Sequence, residues 1–482
     1  FDFGFNGKLM GRRKNFSLVW ESTEKDNSGL YRSYPGTMTL TEITTFYLDP
    51  FVNYVTPRGV QHAFRSRILF NNSDHSNDQS VRSTVYFGEY QVQRTFSKMR
   101  DLNLIAGASG SYSTSKSDVF VGGDSSGVNN AKNFSLYMQL DKKFFKVLNI
   151  SAGIRGEYFQ INNTEFVVRP VARFGLSWKA GRESYVRASY GQGYRFPTIA
   201  ERYILTTSGG LGVFPNPDLQ PETSWNAEIG FKQGFKIGKF MGYFDFVGFW
   251  QEYKNSIEFV MGRYDSDVVL PGFKFLNTGR NRVRGIETSI MGGGQFTKSL
   301  GMSVIMGYTY TIPQSVEPES IFHRDTTGMS NGGSEQQFTH YGTSIDSTKI
   351  LKYRFQHLAN LDLEFTYRKW AVGYTFRYYS YMTNVDKILY VLDSSSPGEF
   401  ADIFDTGIIE YRGDTETGQS GEYTIADKHS GNFVMDARIS FQVAEWLKAA
   451  FIVNNFLNNE YSLRPLKMEQ PRTASIQFTV KV

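Results

Sequence analysis

Apolar and polar side chains alternate with a period of two along most of the chain. Leu148, Ile150, Ala152, Ile154, Gly156 and Tyr158 fall on one face of an extended segment, and Asn149, Ser151, Gly153, Arg155 and Glu157 on the other. This is the pattern of a strand with one apolar side. Ala359, Leu361, Leu363, Phe365 and Tyr367 oppose Asn360, Asp362, Glu364, Thr366 and Arg368 in the same way. Phe433, Met435, Ala437, Ile439, Phe441 and Val443 oppose Asp436, Arg438, Ser440 and Gln442, and Ile476, Phe478, Val480 and Val482 oppose Ser475, Gln477, Thr479 and Lys481. Each run is about ten residues long, enough to cross a bilayer when tilted.

A soluble β-sandwich also alternates, but its strands average about five or six residues and its turns recur every 8 to 12 or so. Here short turns at 142–147, 179–183, 235–239, 293–299, 368–370 and 444–446 lie between long loops at 115–132, 191–223, 254–280, 312–352, 380–430 and 456–471. Alternating short and long connections mark an outer-membrane barrel. Trp178, Trp370 and Trp446 sit beside short turns and Trp20, Trp225 and Trp250 toward long loops, as two girdles at the headgroup levels require. The expected fold is all-β, a large antiparallel transmembrane β-barrel over residues 1–482. The strand count is about nineteen, with the first strand running in the same direction as the last. An odd number cannot close an antiparallel barrel, so further strands are expected upstream, toward the roughly 22 of plugged transporters.

Composition narrows the class further. The 482 residues include 41 Phe, 29 Tyr and 6 Trp, yet no apolar run approaches the ~20 residues of a membrane helix. A balance of 52 basic to 47 acidic residues leaves a net charge of +5, too mild and too dispersed to indicate nucleic acid. The absence of cysteine removes disulfide and thiolate-metal frameworks. No basic leader with an apolar run opens the sequence at Phe1, so an export signal is expected upstream. No nucleophile stands with a base partner and no phosphate loop is visible, so catalysis is not expected.

Five further segments are informative in their order. Gly193-Tyr194-Arg195-Phe196-Pro197-Thr198 precedes Asn216-Pro217-Asp218-Leu219-Gln220-Pro221-Glu222, which runs into a strand carrying Glu228. Asn281-Arg282-Val283-Arg284-Gly285-Ile286-Glu287 and Val453-Asn454-Asn455-Phe456-Leu457-Asn458-Asn459-Glu460-Tyr461 follow, and Arg464-Pro465 with Pro471-Arg472-Thr473 precedes the last strand. In these residues the chain resembles TonB-dependent outer-membrane receptors of the Bacteroidetes type, by motif from 184 to 482 and by pattern before that. The resemblance implies a plug domain and a TonB-contacting peptide upstream. It departs from the family at Val482, where members usually end in an aromatic residue.

The motif residues Arg195, Pro197, Asn216, Pro217, Leu219, Pro221, Glu222, Glu228, Arg284, Gly285, Glu287, Asn455, Tyr461 and Arg472 are expected to be structural. The prolines fix φ and the Asn and Asp side chains bond nearby amides, giving a rigid re-entry into the strand at Ser224. Arg282 and Arg284 share a face and are assigned to plug or wall ion pairs, and Gly285 marks a candidate bulge. Tyr253, Tyr264, Phe322, His323, His340, Tyr341, Phe404 and Tyr411 are the candidate solute contacts in the long loops. Such rings either stack on a flat or cyclic ligand or pack on one another. His323 and His340 share a loop with Met329, which suits a haem contact, but without zinc-type spacing a surface-loop reading is preferred. Asp265 with Asp267 and Asp402 with Asp405 are read as solvated carboxylates over calcium ligands. No cofactor or resident metal is expected.

What the resemblance implies is import. A scarce solute (siderophore, haem, cobalamin, or a small peptide or glycan) is captured by the loops and released through the lumen when the TonB complex pulls the plug. Lipids of the outer membrane surround the wall, and a surface lipoprotein or another outer-membrane protein is a further expected type of partner. The alternative is a receptor-like barrel serving as a structural subunit of an outer-membrane complex, and a passive porin is a third reading.

Overall fold

The fold is that of a computed structural model, which describes residues 1–17, 19–21, 32–99, 102–124, 127–164, 166–208, 211–262, 264, 272–325, 335–345, 347–389, 431–464 and 467–481. Nine strands come first: β1 (Asp2–Ser17), β2 (Met38–Val55), β3 (Val60–His75), β4 (Val81–Phe96), β5 (Leu102–Ser117), β6 (Val128–Phe144), β7 (Leu148–Ile161), β8 (Val167–Lys179) and β9 (Ser184–Arg195). Helix α1 (Ile199–Tyr203) and the short strands β10 (Thr206–Ser208) and β11 (Leu211–Phe214) fill the connection to β12 (Glu222–Ile237). After β13 (Phe240–Lys254), β14 (Ile257–Gly262) and β15 (Gly272–Asn277) precede β16 (Asn281–Gln295) and β17 (Leu300–Ser315). Then come β18 (His323–Asp325), β19 (Gln336–Phe338) and helix α2 (His340–Thr343), followed by β20 (His357–Tyr367), β21 (Trp370–Tyr379), β22 (Asn432–Ala444), β23 (Leu447–Asn454) and β24 (Thr473–Val480).

Eighteen of these strands form one antiparallel sheet in which each pairs with its neighbours along the chain, and β10, β11, β14 and β15 form a separate four-stranded sheet in the loops. Among the described residues no pairing joins β1 to β24. Eighteen is one fewer than the count read from the sequence, and an even number makes β1 run opposite to β24. The parity argument for missing strands therefore falls away. The physical reason is length: β1 to β6 contain 16 to 18 residues each, well beyond the ~10 that span a bilayer, so the same chain makes fewer crossings.

Register carries the period-two split from strand to strand. Ala227, Ile229 and Phe231 of β12 lie across from Trp250, Gly248 and Phe246 of β13, while on the opposite face Glu228 meets Phe249 and Lys232 meets Asp245. Ile229 is 64% exposed and Ile476 is 70% exposed, so among the described residues nothing covers the apolar face at these positions. A buried apolar cluster, Val260, Tyr264, Leu276 and Phe338, lies instead in the loops. Among the described residues the wall is thus a single sheet without a dry core, apolar outside and polar inside. Connections at one end are tight: β12 and β13 are joined by Gly238 and Lys239, with Gly238 at φ +60°, a conformation open to glycine without strain. The long connections gather at the other end.

Candidate functional site

The inner face is laced by charge pairs between neighbouring strands. Arg438 of β22 reaches across β21 to Asp362 of β20 with two hydrogen bonds of 2.8 Å, and to Glu364 at 3.3 Å. Arg377 meets Asp436 at 2.7 Å, Arg187 meets Asp245 at 2.9 Å, and Arg67 meets Asp49 at 2.6 Å. The Tyr137 hydroxyl donates to Glu89 at 2.9 Å while Arg155 lies over its ring and pairs with Glu157. These groups are partly wetted, so each pair contributes only about 0–1 kcal/mol. Their number stiffens the wall and keeps its interior polar.

Two motif carboxylates stand apart from this lattice. Glu228 and Glu287 face the interior, and neither makes an ion pair among the described residues. Glu228 borders a recess of about 690 Å³ at the short-turn end, shared with Asp141, Lys143, Asn149, Ser151 and Arg187. Arg284 and Arg282 lie on the outward face with Trp250 and Glu252: Arg282 pairs with Glu252 at 2.7 Å, and Arg284 sits 5.8 Å from the Trp250 ring centroid. Gly285 is not a bulge. Register runs unbroken from Asn281 to Gln295, and a Cβ at 285 would run into the Tyr310 carbonyl oxygen and come within 2.7 Å of the Phe249 ring, so glycine is needed for the neighbouring backbone and the ring to lie this close.

At the long-loop end the motif of the 196–221 connection acts as a clamp. Thr198 and Glu201 form a capping box on α1, with the Glu201 amide donating to Thr198 Oγ1 at 3.2 Å and the Thr198 amide donating to Glu201 Oε2 at 2.7 Å. Arg195 pairs with Glu201 at 2.7 Å and reaches Glu222 at 3.9 Å. Arg202 donates to the Leu219 carbonyl, and Leu219 is wholly buried. Asn216 Nδ2 donates to the Phe275 carbonyl, and the Glu222 carboxylate accepts from the Ile257 amide, tying this connection to the next one. Pro197 and Pro221 are buried and Pro217 is exposed. Near the C-terminus Asn455, at φ +48°, closes a turn through Asn459, and its amide donates to Asp436. Tyr461 is partly buried, and the Arg472 amide donates to Asn458.

The candidate loop aromatics are mostly turned toward the loops themselves. Tyr264 stacks on Phe338 with centroids 5.4 Å apart and donates to the Val260 carbonyl. Phe322 packs on this cluster and His323 lies 5.4 Å from Phe338. His340 is buried, and its Nε2 donates to the Thr348 carbonyl at 3.0 Å. Burial, and then the Lys352 cation, push its imidazole down to about 4, so the ring is neutral at pH 7. Tyr341 is partly exposed at the same turn, and Tyr253, on the inner face, donates to Gln251. Phe404 and Tyr411 lie outside the described residues, as do Met329, Asp265, Asp267, Asp402 and Asp405.

A recess of about 680 Å³ opens beneath the clamp. Ser83, Ser115 and Phe159 of the wall form one side and Phe196, Ile199 and Ile204 of the connection the other, with His75 at the edge. Phe159 and Phe196 stack in parallel, 4.0 Å between centroids. An apolar, ring-lined space with a few hydroxyls suits part of a flat organic solute. Sequence reasoning singled out neither Phe159 nor Phe196 as a contact. The available signal was parity, because Phe159 and Ile161 end the otherwise polar face of β7.

The sequence matches the family described as "TonB dependent receptor-like, beta-barrel" over residues 1–456. Among solved structures, similar folds include the siderophore receptor PirA from Pseudomonas aeruginosa, at TM-score 0.57 and 13% identity, covering 98% of this chain and 70% of that one. The Serratia marcescens hemophore receptor HasR, solved as a double mutant with its hemophore HasA and heme, matches at TM-score 0.60 and 13% identity, over 98% of this chain and 76% of that one. The ferric-catecholate import receptor Fiu of E. coli K12 matches at 0.60 and 13%, over 99% and 72%. No curated protein sequence matches the chain. At such identities the structural likeness is one of fold alone.

Proposed function

We propose, for a chain that belongs to the TonB dependent receptor-like β-barrel family, that it forms the wall of a receptor importing a scarce solute captured at its long loops. The family is one of outer-membrane transporters, not enzymes, and membership implies interaction with TonB. The observation that carries the proposal is the family match over residues 1–456, which takes in every strand of the wall except β24. Siderophore or haem leads cobalamin and small peptides or glycans as the solute, supported by the siderophore, ferric catecholate and heme named for PirA, Fiu and HasR respectively. The ring-lined recess under Phe196 supports a flat or aromatic group as the first part of the solute to be held.

The plug is proposed to rest against the inner face, with the unpaired carboxylates of Glu228 and Glu287 among its contacts. The edges of β1 and β24, unpaired among the described residues, support four further strands preceding β1, which bring the wall to 22. The closing segment around Arg464 and Arg472 supports a Bacteroidetes-type member. Binding titrations of purified full-length receptor with ferric siderophores, haem, corrinoids and oligosaccharides test the reading. Saturable binding of one class, weakened by Phe196→Ala, is expected. Binding of none, with a protein partner co-purifying in fixed proportion, would replace import with the structural-subunit reading.

A further inference from the structure

On the outward face, at the long-loop end, Arg82 of β4 lies directly across from Lys116 of β5. Like charges at opposed positions repel and destabilise a sheet. One strand further on, Lys132 of β6 stands on the same face beside Tyr112. Arg82 Nε donates to Asn72 Oδ1 at 3.1 Å, and none of the three cations makes an ion pair among the described residues. Asp74, a carboxylate on the same face of β3, accepts from Asn72 at 2.6 Å and lies across from Glu42 of β2, which pairs with Arg13 at 3.4 Å; against Arg13, Arg82, Lys116 and Lys132 these two carboxylates leave the patch with a surplus of positive charge.

Beside Arg82 and Lys116 is a groove of about 350 Å³ lined by Thr44, Phe46, Phe70, Thr84, Thr114 and Val128. Phe46 and Phe70 stack at 6.2 Å, and Tyr86 and Tyr112 face each other further from the loops. From the loops toward the middle of the wall the order is cations, hydroxyls, then aromatic rings. That is the order of phosphate, sugar and acyl chain in a phosphorylated glycolipid of an outer leaflet.

We infer that this patch binds the phosphate-bearing headgroup of an outer-leaflet glycolipid. Arg82 and Lys116 hold the phosphate, Lys132 adds to the attraction, and the acyl chains lie along Phe46, Phe70 and Tyr86. The bound anion removes the repulsion between the two opposed cations. The site is independent of the transported solute and of the plug.

The test uses full-length receptor purified in detergent and reconstituted in nanodiscs, with diphosphoryl lipid A and its dephosphorylated counterpart as probes. The wild type is expected to bind the phosphorylated form about tenfold or more tightly than the dephosphorylated one, and Arg82→Gln/Lys116→Gln to lose about tenfold or more for the phosphorylated form alone. Arg94→Gln, which removes a cation from the opposite end of β4, is expected to change nothing. Should the double substitution impair assembly, Lys116→Gln removes one repelling charge and no hydrogen bond, and about a fivefold loss is expected. Equal binding of the two lipid forms, equal binding by wild type and variants, an equal loss with Arg94→Gln, or displacement by millimolar inorganic phosphate would overturn the inference.

Discussion

The connections 316–356 and 380–431 are held together by a buried ion pair whose removal has a calculable effect. Lys352 Nζ sits 2.5 Å from Asp386 Oδ1, the side chains being 7% and 2% exposed. Lys352 also donates to Thr343 Oγ1 at 2.6 Å, and the Tyr353 hydroxyl donates to Asp386 Oδ2 at 2.5 Å. Replacing Lys352 by Met keeps the volume of the stem but leaves a buried carboxylate with one hydroxyl donor. Breaking one partner of such a pair costs about 3–5 kcal/mol, and the retained Tyr353 bond places this case near ~3 kcal/mol. At 1.4 kcal/mol per decade that is about a hundredfold in the opening equilibrium. The reporters are the Ile345 amide, bonded to the Val385 carbonyl at 3.0 Å, and the Tyr353 amide, bonded to the Asn384 carbonyl at 2.9 Å. Hydrogen exchange at both is expected to accelerate about a hundredfold, with amides between β20 and β21 unchanged. Lys352→Met with Asp386→Leu, which leaves no orphaned charge, is expected to recover most of the protection. Unchanged exchange in the single variant, or no recovery in the double, would refute the reasoning.

Because the His340 pKa is lowered from about 6.5 in a free chain to about 4, the closed loop binds fewer protons than the open one between those values. Loop stability is therefore full above pH 6.5, falls as pH drops toward 4, and loses up to about 3 kcal/mol; hydrogen exchange at pH 7 and 4.5 checks this, with His340→Gln flattening the dependence. Gly285→Val is expected to drive a side chain into Phe249 at a cost of about 1–3 kcal/mol, seen as a lower temperature of heat-modified migration on gels, and an unaltered temperature would contradict the close crossing. Leu219→Ala at a fully buried position is expected to cost about 2–5 kcal/mol locally, exposing the 196–221 connection to protease while the wall stays intact.

The wall was legible because alternation is local: Ile229 and Glu228 declare their faces without reference to partners. Parity also places Arg284 with Ile286 on the apolar side and Glu287 on the other. Strand number was less legible, since nothing in the alternation from 38 to 55 says how far a strand continues beyond the membrane. Loop chemistry was hardest to read. Whether Tyr264 meets a solute or Phe338 depends on contacts between segments about 70 residues apart, and the Lys352–Asp386 pair joins positions that no motif connects. The clamp residues Asn216, Leu219 and Glu222 were visible as a motif, but their partners Phe275, Arg202 and Ile257 required coordinates.

The two-faced wall is tested most directly by site-directed spin labelling, since these 482 residues contain no cysteine to compete with an introduced one. Nitroxides are placed singly at Ile229→Cys and Glu228→Cys of full-length protein in lipid vesicles, and relaxation by oxygen is compared with relaxation by a water-soluble nickel chelate. The label at 229 should respond chiefly to oxygen from the bilayer and the label at 228 chiefly to nickel from the lumen. Equal access of the nickel reagent to both positions would contradict the membrane-spanning barrel.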